Sequence, residues 1–116
     1  MIRTSTLCLV ALGAAGCATV QIPPDRLERN EASIRGAAEM GAEGVPAARL
    51  HLQMAKDETV MAKRLASKGD ERATGYLQRA EADAELALGL AREVSVHAEA
   101  VRAGEDLKAV QARGTP

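Results

Sequence analysis

The chain has no phenylalanine, no tryptophan and one tyrosine, Tyr76, so no core of large aromatic side chains can form. A nucleic-acid binder with stacking platforms is excluded by the same absence. There is no excess of charge of either sign: Lys plus Arg is 15 and Asp plus Glu 16, a formal net charge of -1 over 116 residues. Without a basic stripe no nucleic-acid partner is expected. Cysteine is as scarce, with only Cys8 and Cys17, which leaves little for disulfides, thiol catalysis or a thiolate metal site. No apolar run approaches the ~20 residues that span a bilayer.

Catalytic patterns are missing too. Ser33, Ser67 and Ser95 do not stand in a Gly-x-Ser-x-Gly turn, and the glycines are scattered rather than gathered into a phosphate-cradling loop. Glu93 and His97 lie four apart and can share a helix face, but two ligands do not make a metal site. Carboxylate-bridged bundles need Glu-x-x-His pairs and further Glu on facing helices. His51 is isolated between Leu50 and Leu52. The expectation is a protein that is not an enzyme, with no metal site.

What is present begins with a targeting signal. Arg3 supplies a positive charge, and Leu7 to Ala15 is an apolar run ending in small residues, the order of a secretory signal. Leu12-Gly13-Ala14-Ala15-Gly16-Cys17 resembles the bacterial lipobox, departing from it at Ala14, where leucine is usual. That resemblance implies cleavage after residue 16 and lipidation of Cys17, a covalent lipid being the only prosthetic group expected. Several acyl chains at about 0.8 kcal/mol per buried methylene make such an anchor effectively permanent. Removing residues 1–16, which contain Arg3 and no acid, leaves 14 basic against 16 acidic side chains, a net charge of -2. Cys8 leaves with the leader, so the mature chain has no free thiol. Ala18 rather than an acidic residue follows the cysteine, which in the lipoproteins it resembles implies sorting to the outer membrane, facing the periplasm.

Residues 17–24, ending in Pro23-Pro24, read as a tether. The spacing then predicts a helical domain over residues 25–103. A first helix runs over 25–40, capped by Asp25, with Leu27, Ile34, Ala38 and Met40 on its apolar side and Gly36 weakening it. After a break at Gly41, Gly44 and Pro46, a second helix covers 46–68 and a third 70–103. Ser67-Lys68-Gly69-Asp70 between them carries glycine at a helix end and aspartate as the next cap, a tight hairpin signal. Gly104 ends the third helix's pattern, and 104–116 is expected as a loose tail.

The spacing inside the two long helices is the most informative feature. Ala73, Leu77, Ala80, Ala84, Ala87, Ala91, Val94, Ala98 and Val101 alternate steps of four and three, as do Val45, Ala48, Leu52, Ala55, Thr59, Ala62 and Ala66. Such steps keep one seam facing one partner. The series mirror each other about the turn: the residue numbers of each of the seven facing pairs, from Ala66 with Ala73 to Val45 with Val94, add to 139. An antiparallel Ala-rich hairpin follows, with axes near the low end of the 8–10 Å range. Thr59, the polar member, can return its hydroxyl to a carbonyl three or four residues back. Leu50, Met54, Met61 and Leu65, partnered by Leu86 and Leu90, form a second stripe. Either the first helix covers it, completing a three-helix bundle, or a protein partner or second copy does.

From Ile34 to Ala100, the Ala-spaced helices, Pro46-Ala47-Ala48, Gly69-Asp70 and Ala80-Glu81-Ala82-Asp83-Ala84 resemble a family of small alanine-rich bacterial lipoproteins. Its helical domain has no assigned activity and sometimes precedes a peptidoglycan-binding domain. Tetratricopeptide repeats are similar at the turn, but no 34-residue recurrence is present. The murein lipoprotein attaches to peptidoglycan through a terminal lysine; Gly114-Thr115-Pro116 offers none, so no such linkage is expected. The resulting expectation is an all-α, lipid-anchored, non-catalytic structural or protein-interaction module of the bacterial envelope. The alternative is a carrier or chaperone holding an apolar ligand in a loosely packed bundle.

Overall fold

The computed structural model describes residues 20–114; residues 1–19, with the expected leader and Cys17, and Thr115-Pro116 lie outside them. Among the described residues the protein is all-α, three helices packed on one another: α1 (Pro24–Glu39), α2 (Pro46–Ala66) and α3 (Arg72–Arg113), with a short 3-10 turn (Ala42–Gly44) between the first two.

Each boundary has a local cause. Helix α1 starts one residue earlier than Asp25 suggests, because Pro24 occupies its first position, where proline's fixed φ fits and no donor is missed. Asp25 sits in the first turn instead, accepting from Arg29 Nη1 at 2.9 Å. Gly41, at φ 82, takes the left-handed conformation that turns the chain into the 3-10 segment, and Pro46 opens α2. After α2, Gly69 at φ 69 lets the Asp70 amide bond Leu65 O and the Gly69 amide bond Ala66 O, both at 3.0 Å, a Schellman closure. Asp70 is not the residue that caps α3: the regular helix begins at Arg72 with Glu71 before it, while Asp70 Oδ1 accepts from the Arg72 amide at 3.0 Å one residue further out. Hydrogen bonding from the Arg72 guanidinium holds the Asp70 carboxyl at about 2, below its usual 3.8.

The seam packs as the spacing predicts. Ala48, Leu52, Ala55, Thr59 and Ala62 on α2 and Ala73, Leu77, Ala80, Ala84, Ala87 and Ala91 on α3 are all buried. Eight of those eleven are alanine, so the helices are held by close backbone approach rather than by large buried area. The last pair does not close: Val45 is half-buried and Val94 50 % exposed.

Two further expectations are corrected. Residues 104–113 are not a tail: α3 continues through Gly104 to Arg113. A mid-helix glycine costs only about 1 kcal/mol, and the following Glu105 to Arg113 stretch is composed almost entirely of good helix formers. The first helix also keeps only part of its expected face. Asn30 and Ala37 are its buried residues, Leu27 and Ile34 are half-buried, and Ala38 and Met40 are exposed. Its inward stripe is therefore Leu27, Asn30, Ile34 and Ala37, centred on a polar side chain.

Candidate interaction surface

The hairpin has two flanks, and α1 occupies one. Asn30 Nδ2 donates to Thr59 Oγ1 at 2.7 Å, and Thr59 returns its own hydroxyl to Ala55 O at 2.6 Å, so the seam's one polar residue is locked in a buried relay. Arg26 grips Glu81 with Nε (3.0 Å) and Nη2, Lys63 meets Glu31, and Leu88 lies beside Gly36. On α2, Lys63 and Thr59 define this side; on α3, Glu81 and Leu88 do.

The expected stripe lies on the other flank, at the helical angles opposite Lys63 and Leu88. Helix α1 does not cover it. Leu50 is 59 % exposed, Met54 40 % and Leu86 45 %, while Met61 and Leu90 are half-buried. Leu65 belongs to the core instead, buried beside the turn at 8 % exposure.

Among these apolar residues stands a charged cluster that spacing alone does not reveal. His51 Nδ1 donates to Asp83 Oδ1 at 2.7 Å. Arg79 Nε lies 3.3 Å from Glu58 Oε1 and stacks its guanidinium 4.3 Å from the centre of the Tyr76 ring. Glu58 Oε2 is buried and meets no donor while Glu58 and Asp83 are both ionised. Burial, and then hydrogen bonding with Asp83, push the Glu58 carboxyl up from its usual value, with Arg79 pulling the other way. Two ionised carboxylates cannot bond each other, since both only accept; a proton on Glu58 turns that contact into a donor–acceptor pair. The signal that could locate this cluster is the mirror rule itself, which puts Glu58 and Asp83 two residues from facing positions.

At the open end of the hairpin, Val45, Leu90, Val94 and Ala98 line a mostly apolar surface groove bordered by Glu93 and His97. The structure thus brings Glu93 and His97 to one groove, while His51 is engaged elsewhere. Among the described residues no three His, Cys, Asp or Glu side chains gather to hold a metal ion, and no helix is long and apolar enough to cross a membrane.

Beyond that groove α3 runs on without α2. Under the mirror rule Pro46 stands level with residue 93, so 94–113 extend past the hairpin, about 30 Å of helix at 1.5 Å per residue. Every residue from 99 to 114 is exposed. Val96, Val101, Leu107 and Val110 are among the large apolar side chains left in solvent, Val110 at 65 %. No protein-family model, curated protein or solved structure matches the chain.

Proposed function

We propose that the chain is a lipid-anchored protein of the bacterial envelope whose helical rod is a non-catalytic docking element. The anchor rests on the leader and on Cys17 within its lipobox-like stretch. The docking reading rests chiefly on one observation: α3 carries Val94, Val96, Val101, Leu107 and Val110 into solvent beyond its own hairpin. Residues 99–113 are helical with every side chain exposed, an unpacked helix of that length is marginal in water, and apolar residues at helical spacing on it call for a partner. The uncovered Leu50, Met54 and Leu86 flank offers a second contact area.

The geometry gives the rod a direction. Val20, Gln21, Ile22, Pro24 and Leu27 share a groove with Lys63, Ala66 and Ser67, so the tether arrives at the turn end of the hairpin. A lipid on Cys17 then holds the turn near the membrane, and the exposed stretch of α3 points away from it. In this reading the outer membrane is the site, as Ala18 implies, with the rod in the periplasm.

The test is a photoreactive amino acid at Leu107 in intact bacterial cells, with one at exposed Glu39 as control. A discrete adduct from Leu107 and none from Glu39 supports docking. No adduct from Leu107, Leu50 or Leu86 would refute it.

A further inference from the structure

The strongest pattern on the overhanging part of α3 is a second seam. Val96, Ala100, Ala103, Leu107 and Val110 step by four, three, four and three, and all five are exposed. At 100° per residue they cluster on one face, roughly 140° around the helix from the Ala73 to Ala91 seam. The repeat that closes the hairpin therefore reappears on another side where the hairpin ends, and nothing within residues 20–114 covers it.

We infer that this face pairs with the same face of a second copy of the chain, in antiparallel register; the inference rests on the reading of the overhang as a docking surface. Side-chain size fixes the orientation first. In the antiparallel arrangement centred on residue 105, Ala100 faces Val110 of the other copy and Ala103 faces Leu107, small against large at every level. That alternation keeps the axes evenly spaced. A parallel arrangement sets Ala100 on Ala100 and Leu107 on Leu107, alternating gaps with bulges.

Charge points the same way. Antiparallel pairing brings Glu99 of each copy level with Arg113 of the other, two attractive contacts, and sets only Asp106 against its counterpart. Parallel pairing opposes Glu99 to Gly104 and Asp106 to Gln111, with no attraction. Length is also compatible. The other copy's Arg113 comes level with residues 97–99, short of residue 93, where Pro46 begins to occupy the neighbouring space. An overlap of 17 residues, 97–113, is about 26 Å, a short interface, so the pairing is reversible.

Single cysteines test the register in the full chain, made in bacterial cells with Cys8→Ser and treated in membranes with a short bismaleimide. Asp106→Cys places two thiols beside the two-fold axis and is expected to give a crosslinked dimer. Val96→Cys puts its thiols about 27 Å apart in this register and is expected to stay monomeric. Leu107→Glu in the Asp106→Cys chain sets a carboxylate against Ala103 and lowers the dimer yield at least about tenfold. Because Leu107 is 59 % exposed, this change leaves the fold of the single chain intact. Equal crosslinking at 96 and 106, no crosslinking at 106, or a yield indifferent to Leu107→Glu would each overturn the pairing. A foreign adduct from Leu107 with no dimer at 106 overturns the self-pairing alone and leaves docking in place. Crosslinking in the chain without an added cysteine reports a free Cys17 thiol and counts against the lipid anchor instead; Cys17→Ser then clears the background and the test at 106 is read as before.

Discussion

Glu58→Gln is expected to stabilise the protein, and to do so only above acid pH. Glu58 Oε2 is buried without a partner beside Asp83, and a buried acceptor left unpaired costs about 1–3 kcal/mol. Glutamine keeps the shape and supplies an Nε2 donor toward Asp83, removing that cost. Against this stands the lost ion pair with Arg79, whose side chain is 58 % exposed, worth at most about 1 kcal/mol. The balance is a gain of about 1 kcal/mol near pH 7, or roughly 4–8 °C in Tm for a domain of this size. The sign of the pH dependence follows from the raised Glu58 value. The folded state holds that proton more tightly than the unfolded chain does, so the group's contribution is fully present below 4.5 and is lost as pH rises through the folded value. The variant, which has no proton to lose, should match the parent at pH 4 and exceed it at pH 7. Helical circular dichroism followed through thermal melts at both pH values measures this. A variant less stable than the parent at pH 7, or an offset of equal size at both, would refute the reasoning.

Further outcomes follow from other contacts. Thr59→Val removes the acceptor of the Asn30 Nδ2 bond while leaving Asn30 buried, and should cost about 2 kcal/mol in a denaturant melt; the double variant Asn30→Leu, Thr59→Val should recover most of it. Ala84→Leu forces a large side chain into the fully buried Ala seam and should cost 1–3 kcal/mol or more, with a broadened thermal transition. Gly69→Ala strains a backbone at φ 69 and should cost about 1–2 kcal/mol without changing helix content at 20 °C. Cys17→Ser should leave the chain unlipidated and move it out of the outer-membrane fraction; unchanged fractionation would refute the anchor.

The hairpin was legible because its seam repeats one small residue type at fixed steps, and because Gly69 leaves only one place for the turn. Ala55 and Ala84, named by spacing alone, are both fully buried. The seat of α1 was not legible, because its inward stripe is centred on Asn30, a residue that an apolar-periodicity reading assigns to solvent. Its burial depends on a hydroxyl 29 positions away, at Thr59. The Asn30–Thr59 bond seats α1 on the flank away from Leu50, Met54 and Leu86, a choice that spacing leaves open between α1 and a partner. The extent of α3 is not legible because Gly104 looks like a stop when taken singly, whereas helix already nucleated by the hairpin propagates through one poor residue. The Glu58–Asp83 contact is harder to find for a different reason: charged residues at surface spacing carry no mark of burial until the mirror rule brings the two helices together.

The arrival of the tether at the turn has a mechanical consequence. If the lipid holds that end, α3's 42 residues put its tip about 63 Å from the point of attachment. A free rod would then sweep a hemisphere of that radius. Two rods joined antiparallel at residue 105 would instead keep their attachment points roughly 100 Å apart. Such a pair could only lie along one bilayer or strut between two surfaces, so the bending stiffness of an alanine helix would decide how far apart its two ends are allowed to stray.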